Sequence, residues 1–495
     1  MSLLGIDLGT TGCKAGVFSL DGHCIATAYR EYDMLHPQPG WSELDSAAVW
    51  VKTRAVIAEV AAQAGGDPVT ALCVSTFGEA FVPVSKDREI LDHSILCVDE
   101  RGRKHIERLL AHFGREKLYA INPNLLGPNY SLPKMLWLRE HRPAIYAEAD
   151  YFLLWSDFIA FMLGSEPVTN NSHANRTLLF DLERNDWSDE LLAWSGIPRR
   201  KLGQIVSGGT IIGAIRSSMA DELGLPRCVQ IVAGGHDQCC NALGCGGITA
   251  GRAVYGMGSF DCITPMYSKP ENPLSMLREN LNIEHHVLPD LYVSFLYNQG
   301  GLLVKWFRDT FASADSPPAG CGIYDWLDQE IPEEPTRLLV LPHFDPPPHH
   351  SPGTSGVIVG LKTDTRRGEI LKAIREGTTL YFMRNLEALT HLGIDTTEFI
   401  ASGGGAKSDS GLQLRADILG VPFVRPRMTE AGVLGAAMLA GLATGIVATT
   451  GQAAEIFVKR ERVFEPDANR HAIYREKHAL FQQLFPALEP ILQQL

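Results

Sequence analysis

The chain of 495 residues is longer than one hydrophobic core usually serves, so two large domains are expected. Hydrophobic residues make up 45% and charged residues 20%, the balance of an ordinary globular protein rather than a disordered or fibrous one. A net charge of −13, from 44 basic against 57 acidic residues, argues against nucleic acid or an anionic membrane as the main partner.

In chain order, the opening is rich in strands. "LLGIDLG" and "KAGVFSL" read as two strands around the turn "TTG", and "DG" turns into a third strand, "HCIATAYREY". No basic stretch or cleavage site precedes them, so no signal peptide is visible. After the Pro/Gly loop "HPQPGWSELD", the run "AAVWVKTRAVIAEVAAQAG" has helical periodicity, and "ALCVSTF" and "AFVPVS" read as strands. Residues 101–200 read as mainly helical, with "SLPKMLWLREH" and "YFLLWSDFIAFML" as examples. "RCVQIVAGG" is a strand closed by glycines, and "DQCCNALG" starts a helix with Asp237 at its head. The pattern then restarts: "AVYGMGSF" and "DCITPMY" form a second glycine-turned pair, and "TEFIASGGGAKSDSGLQLRADILG" gives strand, glycine turn and helix. This is a faint internal duplication, which suggests two related α/β domains with a boundary just after Asp237. Residues 431–454 carry no charge, but they are rich in Gly, Ala and Thr, and a buried helix ending near Gly445 explains them better than a membrane span. The ten cysteines form no CxxC pairs and sit mostly in apolar runs, as reduced buried thiols do in a cytoplasm; Cys239, Cys240 and Cys245 lack the histidines and spacing of a metal site.

Three turns could carry chemistry. In "DLGTTGCK" Asp7 ends a strand, Gly9 to Gly12 can expose backbone N–H groups to an anion, and Lys14 could add charge. This is not a Walker loop, since GxxxxGK[ST] is absent. "YGMGSF" and "SGGGAKSD" are the second and third turns, and their glycines would allow close backbone approach to a phosphorylated or flat ligand. Any one of them alone is more often just a turn. A carboxylate at Asp237 is favoured by the helix dipole, so taken alone it reads as an N-cap.

The ordered set resembles the FGGY carbohydrate kinases, the group that includes xylulokinase, ribulokinase, gluconokinase and glycerol kinase. The similarity covers nearly the whole chain: "GIDLGTTGCKAGVF", "PGWSELD", "AGGHDQ", "QGGLLVKWFRDTF", "GVIVGL", "ASGGGAKSDSGLQLRADILGVPF" and "EAGVLGAAMLAG". The resemblance implies an α/β fold of two actin-like (ribonuclease H-like) domains with a nucleotide cleft between them. Residues 1–243 would form the sugar-binding domain with the catalytic base, and residues 244–495 the nucleotide-binding domain. It implies ATP and Mg2+ as cofactors, a small-molecule sugar or polyol as partner, no nucleic acid, no membrane, and a cytoplasmic enzyme for which a homodimer is allowed. Asp237 would be the catalytic base and Asp7 would orient Mg2+. Thr10, Thr11 and Lys14 would meet the ATP phosphates from one side and Gly258 and Ser259 from the other, while Gly404, Gly405 and Asp409 would line the adenosine site. Glu79, Asp99 and Arg101, with Asp237, match positions where the family contacts substrate; turn capping is the alternative for Glu79 and Asp99. "HPQPGWSELD" reads as fold-supporting.

Departures from the family pattern bear on the substrate. Met257 stands where relatives usually carry Thr in the second phosphate turn, so a hydroxyl contact there is missing or supplied by Ser259. Cys97 stands where glycerol kinase places Trp, and Gly78-Glu79 where it has Arg-Glu, so glycerol is not expected as main substrate. The loop "PHFDPPPHHSP" lacks a Gly-Glu-Arg motif, and its His343, Asp345, His349 and His350 read as a solvated rim rather than a metal site. The expected activity is ATP-dependent phosphorylation of a pentulose. A kinase for another polyol or sugar acid, such as erythritol or gluconate, and an inactive actin-like sensor are the alternatives.

Overall fold

Apolar, β-branched runs on either side of a three-residue polar turn build the first hairpin. β1 (Ser2–Leu8) and β2 (Gly12–Ser19) pair antiparallel, with Asp7 opposite Lys14. The computed structural model describes residues 1–270, 272–344, 355–428 and 430–494. β3 (Cys24–Glu31) extends the hairpin, and β4 (Val69–Thr76), β5 (Ile211–Ala214) and β6 (Gln230–His236) complete a six-stranded sheet in the order β5-β6-β4-β1-β2-β3. β1, β4 and β6 run parallel, and their register sets Asp7 beside Ser75 and His236 beside Thr76. Their carboxyl ends therefore finish level, where ligands bind in open α/β sheets.

The chain divides into two compact units, Met1–Ala250 with Met266–Val293 and Glu430–Lys459, and Gly251–Pro265 with Ser294–Thr429 and Arg460–Leu495. In the second unit β7 (Arg252–Met257), β8 (Phe260–Tyr267), β9 (Leu296–Gln299), β10 (Glu398–Ser402), β11 (Phe423–Pro426) and β12 (Arg460–Phe464) run side by side as β9-β8-β7-β10-β11-β12. From β9 the successive pairings are antiparallel, antiparallel, parallel, parallel and antiparallel. From β3 the first sheet shows the same succession. The duplication that is faint in the residues is plain in these six strands of each sheet; the second sheet adds two short strands, Glu284–His285 and Tyr292–Val293.

The uncharged segment forms the helix Ala431–Ala443, buried along most of its length, with Gly445 in the left-handed region at φ 68. Its 13 residues span about 20 Å at 1.5 Å per residue, and no described helix is long and apolar enough to cross a membrane. Small residues serve backbone contact here. A Cβ on Gly5 would lie 1.9 Å from the Val433 carbonyl oxygen, so the helix lies directly on β1.

One predicted element is corrected. Tyr151–Leu154 is a strand, and only Trp155–Leu163 of that apolar run is helical. The strand pairs antiparallel with Phe81–Val84, a tertiary partner that periodicity cannot reveal in a continuous apolar run.

The first turn of this helix buries Asp157, whose Oδ1 accepts from Ser156 Oγ at 3.1 Å, and that hydroxyl lies 2.8 Å from His173 Nδ1. Burial pushes Asp157 up to about 8 despite hydrogen bonds from Thr169 and Ser156. A carboxyl raised in the folded state contributes stability below its unfolded pKa of 3.8, and that stability is lost as pH rises through about 8. Asp157→Asn removes this dependence, so the variant's melting temperature should gain on wild type by about 3 °C or more between pH 5 and pH 8.5. Thermal melts at the two pH values check it; a constant difference would mean that Asp157 ionises as readily in the fold as in the unfolded chain.

Candidate active site

β6 ends at His236 and the helix Asp237–Gly244 begins at the next residue, so His236 occupies the N-cap position and Asp237 lies in the first turn. A strand that stops level with its neighbours and turns directly into a helix delivers this carboxylate to the sheet's carboxyl edge. The Asp237 side chain keeps 28% exposure, and its Oδ1 is 3.6 Å from His236 Nε2. Burial pushes its pKa up, while the Gln238 N–H and side-chain amide and the Arg176 charge oppose the shift. Burial and the Arg176 charge hold His236 neutral, well below the ordinary histidine range.

Two strands away, Asp7 accepts from Ser75 Oγ at 2.6 Å. Burial raises Asp7 to about 7; the Ser75 bond and Lys14 oppose this, and the charges of Asp237 and Glu430 add to it. A Cβ on Gly432 would lie 2.8 Å from Asp7 Cγ, so the glycine leaves room for the carboxylate at the start of the helix Ala431–Ala443. Lys14 Nζ pairs with Glu430 Oε2 at 2.6 Å with both groups well exposed. Thr10 is half-buried and Thr11 exposed in the turn that Gly9 N–H closes on the Gly12 carbonyl at 2.9 Å.

Glu79 is buried and sits at φ 64, a left-handed conformation rare outside glycine. Its carboxylate accepts from Arg176, which also donates to Glu284. Gly78 abuts His236: a Cβ there would lie 2.8 Å from His236 Cδ2 and 3.1 Å from Arg176 Cγ. Asp99 and Arg101 lie in a neighbouring buried cluster and engage each other. Arg101 Nη2 donates to Asp99 Oδ2 at 2.6 Å and Nη1 to Glu43 Oε1 at 2.6 Å. The guanidinium lies 3.7 Å from the Trp41 ring and 4.9 Å from that of Trp137. Asp99 also accepts from the backbone of Ser42 at 2.7 Å and of Arg101 at 2.8 Å, which is the capping alternative made real. Burial raises the Cys97 thiol, with Lys134 opposing and Asp237 adding, and burial lowers Lys134 to about 8.

In the second unit the exposed turn Gly258–Ser259 joins β7 to β8, and its carbonyls accept from Gly301 N–H and Leu302 N–H at 3.0 Å. Met257 is buried, and a Cβ on Gly405 would lie 2.8 Å from the Met257 Cβ. The methionine thus packs beneath the third glycine turn, bringing the second and third turns together, while Gly404 faces open space. A cavity of about 320 Å3 opens beside them, lined by residues that include Ser402, Gly403, Lys407, Asp409 and Arg425. Asp409 Oδ1 pairs with Arg425 at 2.6 Å and its Oδ2 with Arg462, so both carboxylate oxygens already have partners. Of the histidine-bearing loop, His343 is buried; Asp345, His349 and His350 lie outside the described residues.

Sequence reasoning passed over Ser75, Arg176, His236, Glu284 and Glu430. His236 had a signal in its place beside Asp237, and Glu430 in its place at the head of "EAGVLGAAMLAG"; the others meet the site from distant segments.

Paired α/β units of one strand topology, with carboxylates at level strand ends and glycine turns in both, define the class as the actin-like fold. The sequence models of the FGGY family of carbohydrate kinases match the chain over residues 2–244 for the N-terminal domain and 258–444 for the C-terminal domain. The chain belongs to this family and is a carbohydrate kinase, which phosphorylates a sugar or polyol at the expense of ATP. It is 27% identical over 491 residues to xylulose kinase of Bacillus subtilis, covering 98% of this chain and 96% of that one. It is 30% identical over 491 residues to glycerol kinase of Bordetella parapertussis, covering 94% and 92%. The crystal structure of xylulose kinase from Rhodospirillum rubrum matches with a TM-score of 0.90 at 25% identity, covering 99% of this chain and 100% of that one.

Proposed function

We propose that the chain phosphorylates a hydroxyl of a pentulose, with Asp237 as general base. The placement of Asp237 carries this reading: a carboxylate at a strand's carboxyl end, partly open, raised in pKa by burial and backed by the Arg176 charge that opposes the shift. Such a group accepts a proton from the substrate hydroxyl as that oxygen attacks the γ-phosphorus; the bond to the ADP oxygen breaks and ADP leaves with the electron pair. In the first unit, Thr10, Thr11 and Lys14 would meet phosphate oxygens. In the second, Gly258 and Ser259 would do the same, and Gly404, Gly405 and Asp409 would bound the adenosine pocket. Asp409, held between two arginines, would act there chiefly by fixing the wall.

The residues fit a magnesium ion. Asp7 is a hard oxygen donor whose charge is disfavoured by burial and by Asp237 and Glu430, so a cation beside it is welcome. Asp7 would hold the ion through water, and the ion would neutralise charge on the phosphates. A cytoplasmic setting accords with the free cysteines, none of which forms a disulfide.

Substrate choice rests on the first unit. Glu79, with Cys97 near the base, would read the hydroxyls of the sugar; Asp99 and Arg101 would support this wall from behind. The crowding at Gly78 by His236 and Arg176 leaves no room for the Arg of the glycerol kinase pattern, which supports a pentulose over glycerol. Purified protein with ATP and Mg2+, tested for ADP release against ketopentoses, sugar acids, tetritols and glycerol, should show one ketopentose well above the rest. A tetritol, sugar acid or glycerol in first place would replace the pentulose assignment.

A further inference from the structure

We propose that Arg176 is a positioning residue for sugar recognition: it sets the Glu79 carboxylate, and Glu284 in turn fixes Arg176. The proposal rests on Glu79 contacting the sugar, as read above, and goes beyond it by assigning two residues that no motif marks.

The three side chains are buried together, with 7% exposure for Arg176, 8% for Glu79 and 1% for Glu284. Arg176 donates through Nη2 to Glu79 Oε1 and through Nη1 to Glu284 Oε1, so one planar fork bridges two carboxylates. Asn282 Nδ2 donates to the same Glu284 oxygen at 2.6 Å, and the Tyr130 ring lies 5.2 Å from the guanidinium. The far partner is therefore fixed before Glu79 is considered. Glu79 is held at its backbone too: Ser131 Oγ donates to its carbonyl at 2.6 Å.

Two features say that this arrangement does more than hold the fold. Two carboxyl groups share one guanidinium in this buried cluster, and apolar residues of the same volume would generally stabilise a core as well or better. Glu79 also adopts φ 64 without being glycine, a strain of the kind that persists where surrounding contacts over-determine a functional side chain. Arg176 accounts for both. Its guanidinium engages Glu79 Oε1 and so sets the orientation of the carboxyl group. Recognition of a hydroxyl by a preset acceptor is discriminating, because a substrate lacking that hydroxyl leaves the acceptor unpaired. The clamp also lies near the base: Arg176 Cγ and the His236 ring both lie close to Gly78, and His236 precedes Asp237.

The test is a mutant cycle read by sugar binding and by turnover separately. Titration calorimetry would measure binding of the best ketopentose and of ATP to wild type, Arg176→Met, Glu79→Gln, Glu284→Gln and the Arg176→Met/Glu79→Gln double variant; steady-state kinetics would follow on the same proteins. Arg176→Met should weaken sugar binding and raise the sugar KM by about tenfold or more, with ATP affinity within about twofold of wild type. Glu284→Gln should move in the same direction by less. The double variant should be no weaker than Arg176→Met by more than about twofold, since both changes remove one interaction. Additive losses, or equal losses for sugar and ATP, would overturn the proposal. Should Arg176→Met fail to fold, Arg176→Lys, which keeps the charge but loses the fork, takes its place in the cycle, and additivity there has the same meaning. Wild-type protein that binds the sugar without phosphorylating it would sink the kinase mechanism and leave the clamp standing. Turnover with additive losses would do the reverse.

Discussion

Asp237→Asn should lower kcat by about 10^2- to 10^4-fold, the usual range for loss of a general base, while ATP binding stays within about twofold of wild type. The amide matches the carboxylate in shape and can still interact with Gln238, so the helix start should survive. What it cannot do is take a proton. The loss should therefore fall on kcat and kcat/KM alike, the mark of an interaction made in the transition state. Wild type should lose activity as pH falls through the raised pKa of Asp237, because only the ionised carboxylate is a base. In the asparagine variant the residual rate should lack that limb. Coupled ADP release across pH 5 to 9, with ATP binding measured by calorimetry, decides the matter. Near-normal turnover would remove Asp237 from the mechanism, and lost ATP binding would make it a structural residue.

The local elements were legible because their signals are local. Alternation, glycine turns and helical periodicity locate the two hairpins, the helix Ser131–His141 and the strand-turn-helix at 398–419. The repeated order of strands was legible only as an echo, since topology outlasts residue identity. What escaped depends on pairing across distance. Tyr151–Leu154 is a strand because Phe81–Val84 lies beside it, not because of its own composition. The buried clamp joins residues 97 and 108 positions apart, and nothing in the stretch "HANRTLLF" around Arg176 or in the residues near Glu284 marks either as part of a site. Asp99 and Arg101 show the opposite case: the sequence marks them as polar groups in a matching segment, but only the structure shows that they meet each other and Glu43. The discontinuity of the first unit is of the same kind. Its last segment returns only after Ser294–Thr429 of the second unit, where the helix Ala431–Ala443 packs backbone to backbone on β1 and on the helix that starts at Asp237.

That fit makes Gly435→Ala a strongly destabilising variant. A Cβ on Gly435 would lie 1.9 Å from the Cys240 carbonyl oxygen, and one on Gly244 would lie 1.9 Å from that of Ala431. Two helices thus cross with backbone against backbone, and one of them carries Asp237. A side chain that meets a flexible neighbour can be accommodated, but a carbonyl inside a helix moves only if its helix moves. Overpacking of this kind costs about 1–3 kcal/mol and more when nothing can yield, so a loss of about 3 kcal/mol or more is expected for Gly435→Ala. If the folded state survives by shifting the helix Asp237–Gly244, a displacement near 1 Å at the base should cost about 10^2-fold in kcat. Gly441→Ala, six residues on in the same helix, provides the control. There the nearest atom is the Leu3 Cδ1 methyl at 2.8 Å, which can rotate away; alanine also improves helix propensity by about 1 kcal/mol. Urea and thermal melts with kcat on both variants should separate them clearly. A Gly435→Ala protein that melts with wild type would show that the crossing is looser than a direct backbone contact, and that Asp237 is held by β6 alone.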